Sequence, residues 1–237
     1  MKTTYIFTIF FFFQLHSFAQ VWVDSDASWH YNIDAGALFQ GFTHYQYTSD
    51  SIIQGYNCQV IEASQHRATN YNNIYSHSDF QLETNYTYVN GDTVFWLVND
   101  EFKVLYNFGA QVGDTWVLAN ANPTLSCLDA IAEVDSIGTI VLNGQTLRWV
   151  SFHTQSNSSY LYSGKAVERF GLYTMNYHSP HALFPIGTDC TEGVNIDYFF
   201  NHFTCYEDVS FSLINTSTQD CEFARTLSLM EEFTNNF

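Results

Sequence analysis

The histidine pair in His178-Ser179-Pro180-His181, with Asp189 and Glu192 close behind it, is the arrangement in this chain nearest to metal chemistry. Imidazoles and carboxylates together can hold zinc or another divalent cation. Pro180 excludes a regular helix between the two rings, and no glutamate lies within the pair to act as a base. Two surface histidines in a loop are the plainer reading, and a divalent cation at His178 and His181 is the one cofactor expectation. Glu168-Arg169 is the only tight acid–base neighbour pair in an apolar context. Adjacent strand residues point to opposite faces, so each should find a partner elsewhere, with Arg169 bridging a buried carboxylate. The chain has no Gly-x-Ser-x-Gly elbow and no glycine-rich phosphate loop. The carboxylate separation that glycoside hydrolysis needs is set by the fold, not by sequence. No catalytic residue is therefore assigned, and an extracellular hydrolase or metal-dependent enzyme stands as the alternative to a binding protein.

Aromatic side chains offer another chemistry. Trp22, Trp29, Tyr71, Tyr75, Tyr86, Tyr88, Trp96, Trp116 and Trp149 could stack against sugar rings, although a large β domain buries most such residues in its core. Tyr71 and Tyr75 lie in a polar stretch and are the least obviously buried. They are the candidate contacts for a glycan or an extracellular protein partner, and the first reading is a non-enzymatic binding module. A structural display domain is a further reading.

The net charge of −17 argues against nucleic acid and anionic membrane surfaces as partners. Of seven lysines and arginines, Lys2 lies in the N-terminal leader, leaving six, too few to build a basic patch. Cys58, Cys127, Cys190, Cys205 and Cys221 include no Cys-x-x-Cys pair and no structural zinc spacing. Cys205 and Cys221 are the expected disulfide, because a separation of sixteen positions suffices to turn one strand back on the next. An odd count leaves at least one thiol free or intermolecular.

These residues have to be positioned by strands. Residues 1–19 read as a removable secretory leader: Lys2, a short apolar run with clustered phenylalanines, then Ser17 and Ala19 at the positions preceding a cut. An apolar run of about 11 residues is shorter than the roughly 20 that span a bilayer as a helix, and no membrane insertion is expected after the leader is removed. Residues 20–224 read as a single β domain and 225–237 as a tail or linker. Helical periodicity is nearly absent, while short runs of β-formers are divided by turn residues. Residues 41–48 alternate, with Phe42, His44 and Gln46 on one side. Asn90-Gly91 and Asn143-Gly144 predict hairpins with type I′ turns. Residues 64–79 are polar and without period, and are expected to form the longest loop. The run 94–98 is apolar on both faces and reads as a central strand. The expected class is all-β, an antiparallel meander forming a barrel or strongly curved sheet, with a sandwich as the alternative.

A series of short motifs recurs in a definite order: Asn90-Gly91-Asp92-Thr93-Val94, Val112-Gly113-Asp114-Thr115-Trp116, Val134-Asp135-Ser136-Ile137, Leu142-Asn143-Gly144-Gln145, Glu168-Arg169-Phe170-Gly171 and Cys205-Tyr206-Glu207-Asp208. In that order they resemble the N-terminal domain of secreted Bacteroidetes proteins that carry a type IX secretion C-terminal sorting domain. The resemblance implies a secreted or cell-surface destination rather than an activity. The sorting tail itself does not follow here, and a chain lacking it would be delivered to the periplasm. It also implies that Asp50-Ser51-Ile52, Asp92-Thr93-Val94 and Asp135-Ser136-Ile137 look like acceptors for O-glycosylation, although each is equally an ordinary strand entry.

Overall fold

The structure is a computed structural model that describes residues 22–34, 39–71, 74–121, 128–155, 158–174, 182–187, 200–214 and 220–227. The first seven strands are β1 (Ser28–Asp34), β2 (Gln40–Ile53), β3 (Tyr56–Tyr71), β4 (Ile74–Gln81), β5 (Asn85–Asn90), β6 (Thr93–Val98) and β7 (Glu101–Asn107). Next come β8 (Thr115–Ala119), β9 (Ala130–Leu142), β10 (Gln145–Thr154), β11 (Tyr160–Leu161), β12 (Gly164–Val167) and β13 (Gly171–Thr174). The last are β14 (Ile186–Gly187), β15 (Phe200–Glu207) and β16 (Ser212–Ile214), followed by a 3₁₀ turn, Phe223–Thr226. The protein is all-β, and its strand ladders are antiparallel.

A nine-stranded sheet runs in the order β16-β15-β1-β2-β3-β5-β6-β7, with β4 also paired to β3. The sixteen-residue β3 is long enough to take β5 beside Gln59, Val60 and Ile61 and β4 beside 64–71 on the same edge. A five-stranded sheet runs β13-β12-β10-β9-β8, and β11 pairs with β14.

Three two-residue turns, Gln54-Gly55, Asn99-Asp100 and Asn143-Gly144, have positive φ at both positions. That is the type I′ signature, whose twist matches the flanking strands. The Asn90-Gly91 hairpin forms one residue later than expected: Asn90 pairs with Thr93, and the turn is Gly91-Asp92. Only Gly91 has positive φ, at 60°, which matches type II′ rather than I′. Residues 64–71 and 74–79 are not a loop. They belong to the β3–β4 hairpin, with His66 opposite Asp79 and Ala68 opposite His77. The period is hard to read because imidazole and alanine, not large apolar residues, fill its buried positions.

The two large sheets share one core. Trp29, Tyr31, Ile61, Val94 and Tyr106 come from the first, and Val150, Phe152, Ala166 and Leu172 from the second. Several polar tips in this core find partners across the layers, while the Trp96 and Trp116 indole nitrogens find none among the described residues. Trp29 Nε1 donates to the Phe170 carbonyl (3.1 Å) and the Tyr31 hydroxyl to the Leu172 carbonyl (2.9 Å). The Tyr106 and Tyr162 hydroxyls, 2.5 Å apart, lie 2.8 and 2.7 Å from the Leu183 carbonyl, so that one donates to the carbonyl and the other to its neighbour's hydroxyl. Glu168 and Arg169 part ways: Glu168 takes Arg148, while Arg169 grips Asp208 with two hydrogen bonds of 2.7 and 2.6 Å.

Candidate functional site

The outer face of the nine-stranded sheet carries two clusters of side chains that the core does not use. On β1, Trp29 and Tyr31 point inward, so His30 between them points outward. Its register partner on β2 is His44, and Phe42, two residues along, shares that face. His66 on β3 lies opposite Phe42. The rings form a continuous series: His44 on His30 (4.4 Å between centroids), His30 on Phe42 (5.6 Å), Phe42 on His66 (5.3 Å) and His66 on His77 (5.3 Å).

Segment 220–227 lies across this series, tied to β15 by the Cys205–Cys221 disulfide. Ala224 is fully buried against Phe42 and Ala68. The Arg225 guanidinium lies over the Phe42 ring at 5.3 Å, 2.9 Å from Glu222 and 3.4 Å from Asp79. Arg225, the first residue of the tail inferred from sequence, is thus inside the 3₁₀ turn. Burial, and secondarily the nearby His44, push the His30 imidazole down to about 4, although Glu222 at 3.6 Å pulls the other way. Burial also lowers His44. The Nε2 of His30 is buried and has no hydrogen-bond partner among the described residues, while the Nε2 of His44 is 3.0 Å from the Ser28 hydroxyl. The His66 Nδ1 is 2.8 Å from the Asp79 carboxylate, and its Nε2 is 3.1 Å from the Nδ1 of His77.

The second cluster lies where β3, β5, β6 and β7 run side by side. The β-bulge between Tyr47 and Ser49 lies in β2, so β3 alternates without interruption and Tyr56 shares the outer face with His66. Tyr88 on β5 is stacked between Tyr56 (4.3 Å, 13° between planes) and Phe95 of β6 (4.7 Å, 5°). Phe102 of β7 stands perpendicular to both tyrosines, at 5.3 and 4.8 Å. Because both faces of Tyr88 are covered by the stack, its edge meets the Phe102 ring. Tyr56 is 46% exposed with only one face taken by Tyr88, which leaves much of its other side to solvent. The turns beside these rings are joined, Gln54 Nε2 donating to the Asp100 carbonyl at 2.8 Å. Exposed Gln54 and Asp100 give this end of the shelf a polar rim.

Tyr71 and Tyr75 both lie on the β3–β4 hairpin but not together. Tyr71 is 76% exposed at the end of β3, opposite Ile74. Tyr75 is opposite Asn70, on the other face of the hairpin, half-buried against Phe42, Ala68 and Ala224. His178 and His181 lie outside the described residues, as do Cys127 and Cys190. Cys58 is a free, buried thiol. Tyr56, Tyr88, Phe95 and Phe102 were not singled out as a group by sequence. The two hairpin turns set the register that gathers them, and strand pairing read through those turns is the signal that points to them.

Among the described residues no three His, Cys, Asp or Glu side chains are grouped to hold a metal. No helix among them is long and apolar enough to cross a membrane. No protein-family model, curated protein or solved structure matches the chain.

Proposed function

We propose that this protein is an exported β module that binds an extracellular carbohydrate on the aromatic shelf of Tyr56, Tyr88, Phe95 and Phe102. The observation that carries this reading is the exposed Tyr56 ring, stacked on Tyr88 through one face beside the polar Gln54 and Asp100. A pyranose presents a C–H face that packs on an aromatic ring, and hydroxyls at its rim that need hydrogen-bond partners. A pre-stacked tyrosine loses little conformational freedom on binding. The charge of −17 disfavours polyanionic glycans and leaves neutral or cationic ones.

Export rests on the leader at residues 1–19, and secretion to the cell surface on the resemblance to type IX cargo. The architecture that best accommodates hydrogen bonds such as Tyr31 to Leu172 is two strongly curved sheets packed as a sandwich.

A glycan array probed with the processed protein tests the binding. Tyr56→Ala should abolish the signal, Tyr88→Ala should weaken it through the lost stack, and Tyr71→Ala should leave it unchanged. An array silent with the wild type, or binding that survives Tyr56→Ala, overturns this reading. Mass spectrometry of the secreted chain should give Gln20 as its first residue.

A further inference from the structure

We propose that His66 and His77 form a two-imidazole site for a divalent transition-metal cation of the zinc, copper(II) or nickel(II) kind, independently of the aromatic shelf. The Nε2 of His66 and the Nδ1 of His77 face one another at 3.1 Å. Two imidazole nitrogens bound to one tetrahedral metal at about 2.0–2.1 Å stand roughly 3.3 Å apart, so the ion fits between the rings with little movement. Without metal, the His77 Nδ1–H donates across this gap to the His66 Nε2, and the ion would take the place of that proton. The His66 Nδ1 is 2.8 Å from the Asp79 carboxylate, which at neutral pH offers only hydrogen-bond acceptors. Asp79 therefore holds the proton of a neutral His66 on Nδ1 and leaves a lone pair on Nε2, aimed at His77.

A carboxylate behind a ligand histidine is the usual outer-shell arrangement at metal sites; it fixes the tautomer and strengthens the ligand. Arg225 in turn approaches Asp79 at 3.4 Å, with Glu222 sharing its charge at 2.9 Å. The His66 ring itself is held by stacking on Phe42. His77 is exposed, so solvent reaches the gap and can supply the remaining ligands. On metal binding, His77 gives up the Nδ1 proton that bridges the pair and carries its proton on Nε2. With two protein ligands the site is an exchangeable one, of a sort that soft or borderline ions prefer to calcium or magnesium.

Isothermal titration of the processed full chain with zinc chloride and with nickel chloride, in a buffer that does not chelate, tests the site. Wild type should saturate at one ion and melt at higher temperature with metal than with chelator. His77→Ala, at an exposed position, should keep its circular dichroism and lose the saturable binding. Asp79→Asn should weaken binding by about tenfold. The double variant His178→Ala/His181→Ala should bind like wild type. No saturation in wild type, saturation that persists in a folded His77→Ala, or loss in the His178/His181 variant instead would each overturn the proposal.

Discussion

Arg169 and Asp208 meet in a two-pronged ion pair, with guanidinium-to-carboxylate distances of 2.7 and 2.6 Å, and the Asp208 side chain is wholly buried. The Tyr206 hydroxyl donates to the same carboxylate at 2.5 Å, and Arg169 takes a positive φ of 81° to reach it. The pair joins the end of β12 to the turn after β15, which lies in the other sheet. Burial alone would raise the Asp208 carboxyl, but hydrogen bonds from Arg169 and Tyr206 outweigh it and hold it below its ordinary value. Removing one partner leaves the other charge buried and unpaired. Asp208→Ala should therefore cost about 3–5 kcal/mol in urea unfolding, and a loss under about 1 kcal/mol would show that solvent takes over the arginine.

Acid should loosen the outer face before it reaches the core. The His30 imidazole is pushed down to about 4 by burial and by His44, and His44 is lowered mainly by burial. Both folded values lie below the unfolded value, so the unfolded chain binds more protons on acidification. Stability conferred by the neutral rings is complete above about pH 6.5 and is lost as pH falls toward 4. Glu222 and Asp220 face His30 and temper the effect. For His30 alone the loss approaches about 3 kcal/mol by pH 4. Urea midpoints measured between pH 7.5 and pH 4.5 should decline in wild type and decline less in His30→Asn. Equal slopes in the two proteins would remove His30 from the account.

Much of the fold is legible in the sequence because turn chemistry is local. Asn143-Gly144 sits where two positive-φ residues are needed, and the alternating run from Phe42 gives the outward face of β2. Arg169 as the partner of a buried carboxylate follows from its apolar setting, although it lies in the connection between β12 and β13 with positive φ rather than on a strand. The histidine series does not follow. His30, His44, His66 and His77 are spread over four strands, and only the full register brings them into line. The segment that covers them comes from the far end of the chain, so no local pattern marks 64–79 as half-buried. Tyr71 and Tyr75 look like a pair in a loop, but a hairpin with Tyr71 opposite Ile74 sends them to opposite faces.

The Cys205–Cys221 bond closes a loop over a sequence separation of 16 and holds 220–227 against β1, β2 and β3. Chain-entropy arguments give a cross-link of that length about 3 kcal/mol. Cys221→Ser should lose about that much and also free the segment, so amide exchange at Phe42 and Ala68 should rise more than at Tyr31 in the core. Uniform exchange changes across all three would mean that the segment stays docked without its tether.

Gly41 leaves no room for a side chain between β2 and β3 beside the histidine series. A Cβ at this position would stand 2.1 Å from the backbone carbonyl oxygen of His66, with no flexible side chain to yield. Gly41→Ala must therefore push the strands apart at the Gly41–Arg67 register pair, disturbing Phe42 and His66 together. An overpacked position of this kind costs about 1–3 kcal/mol, and here the displacement also opens the gap between His66 and His77. Thermal melts should show the lost stability, and the His66 and His77 imidazole resonances should shift in the same variant. Unmoved imidazole signals in a destabilised Gly41→Ala protein would place the strain elsewhere in the hairpin.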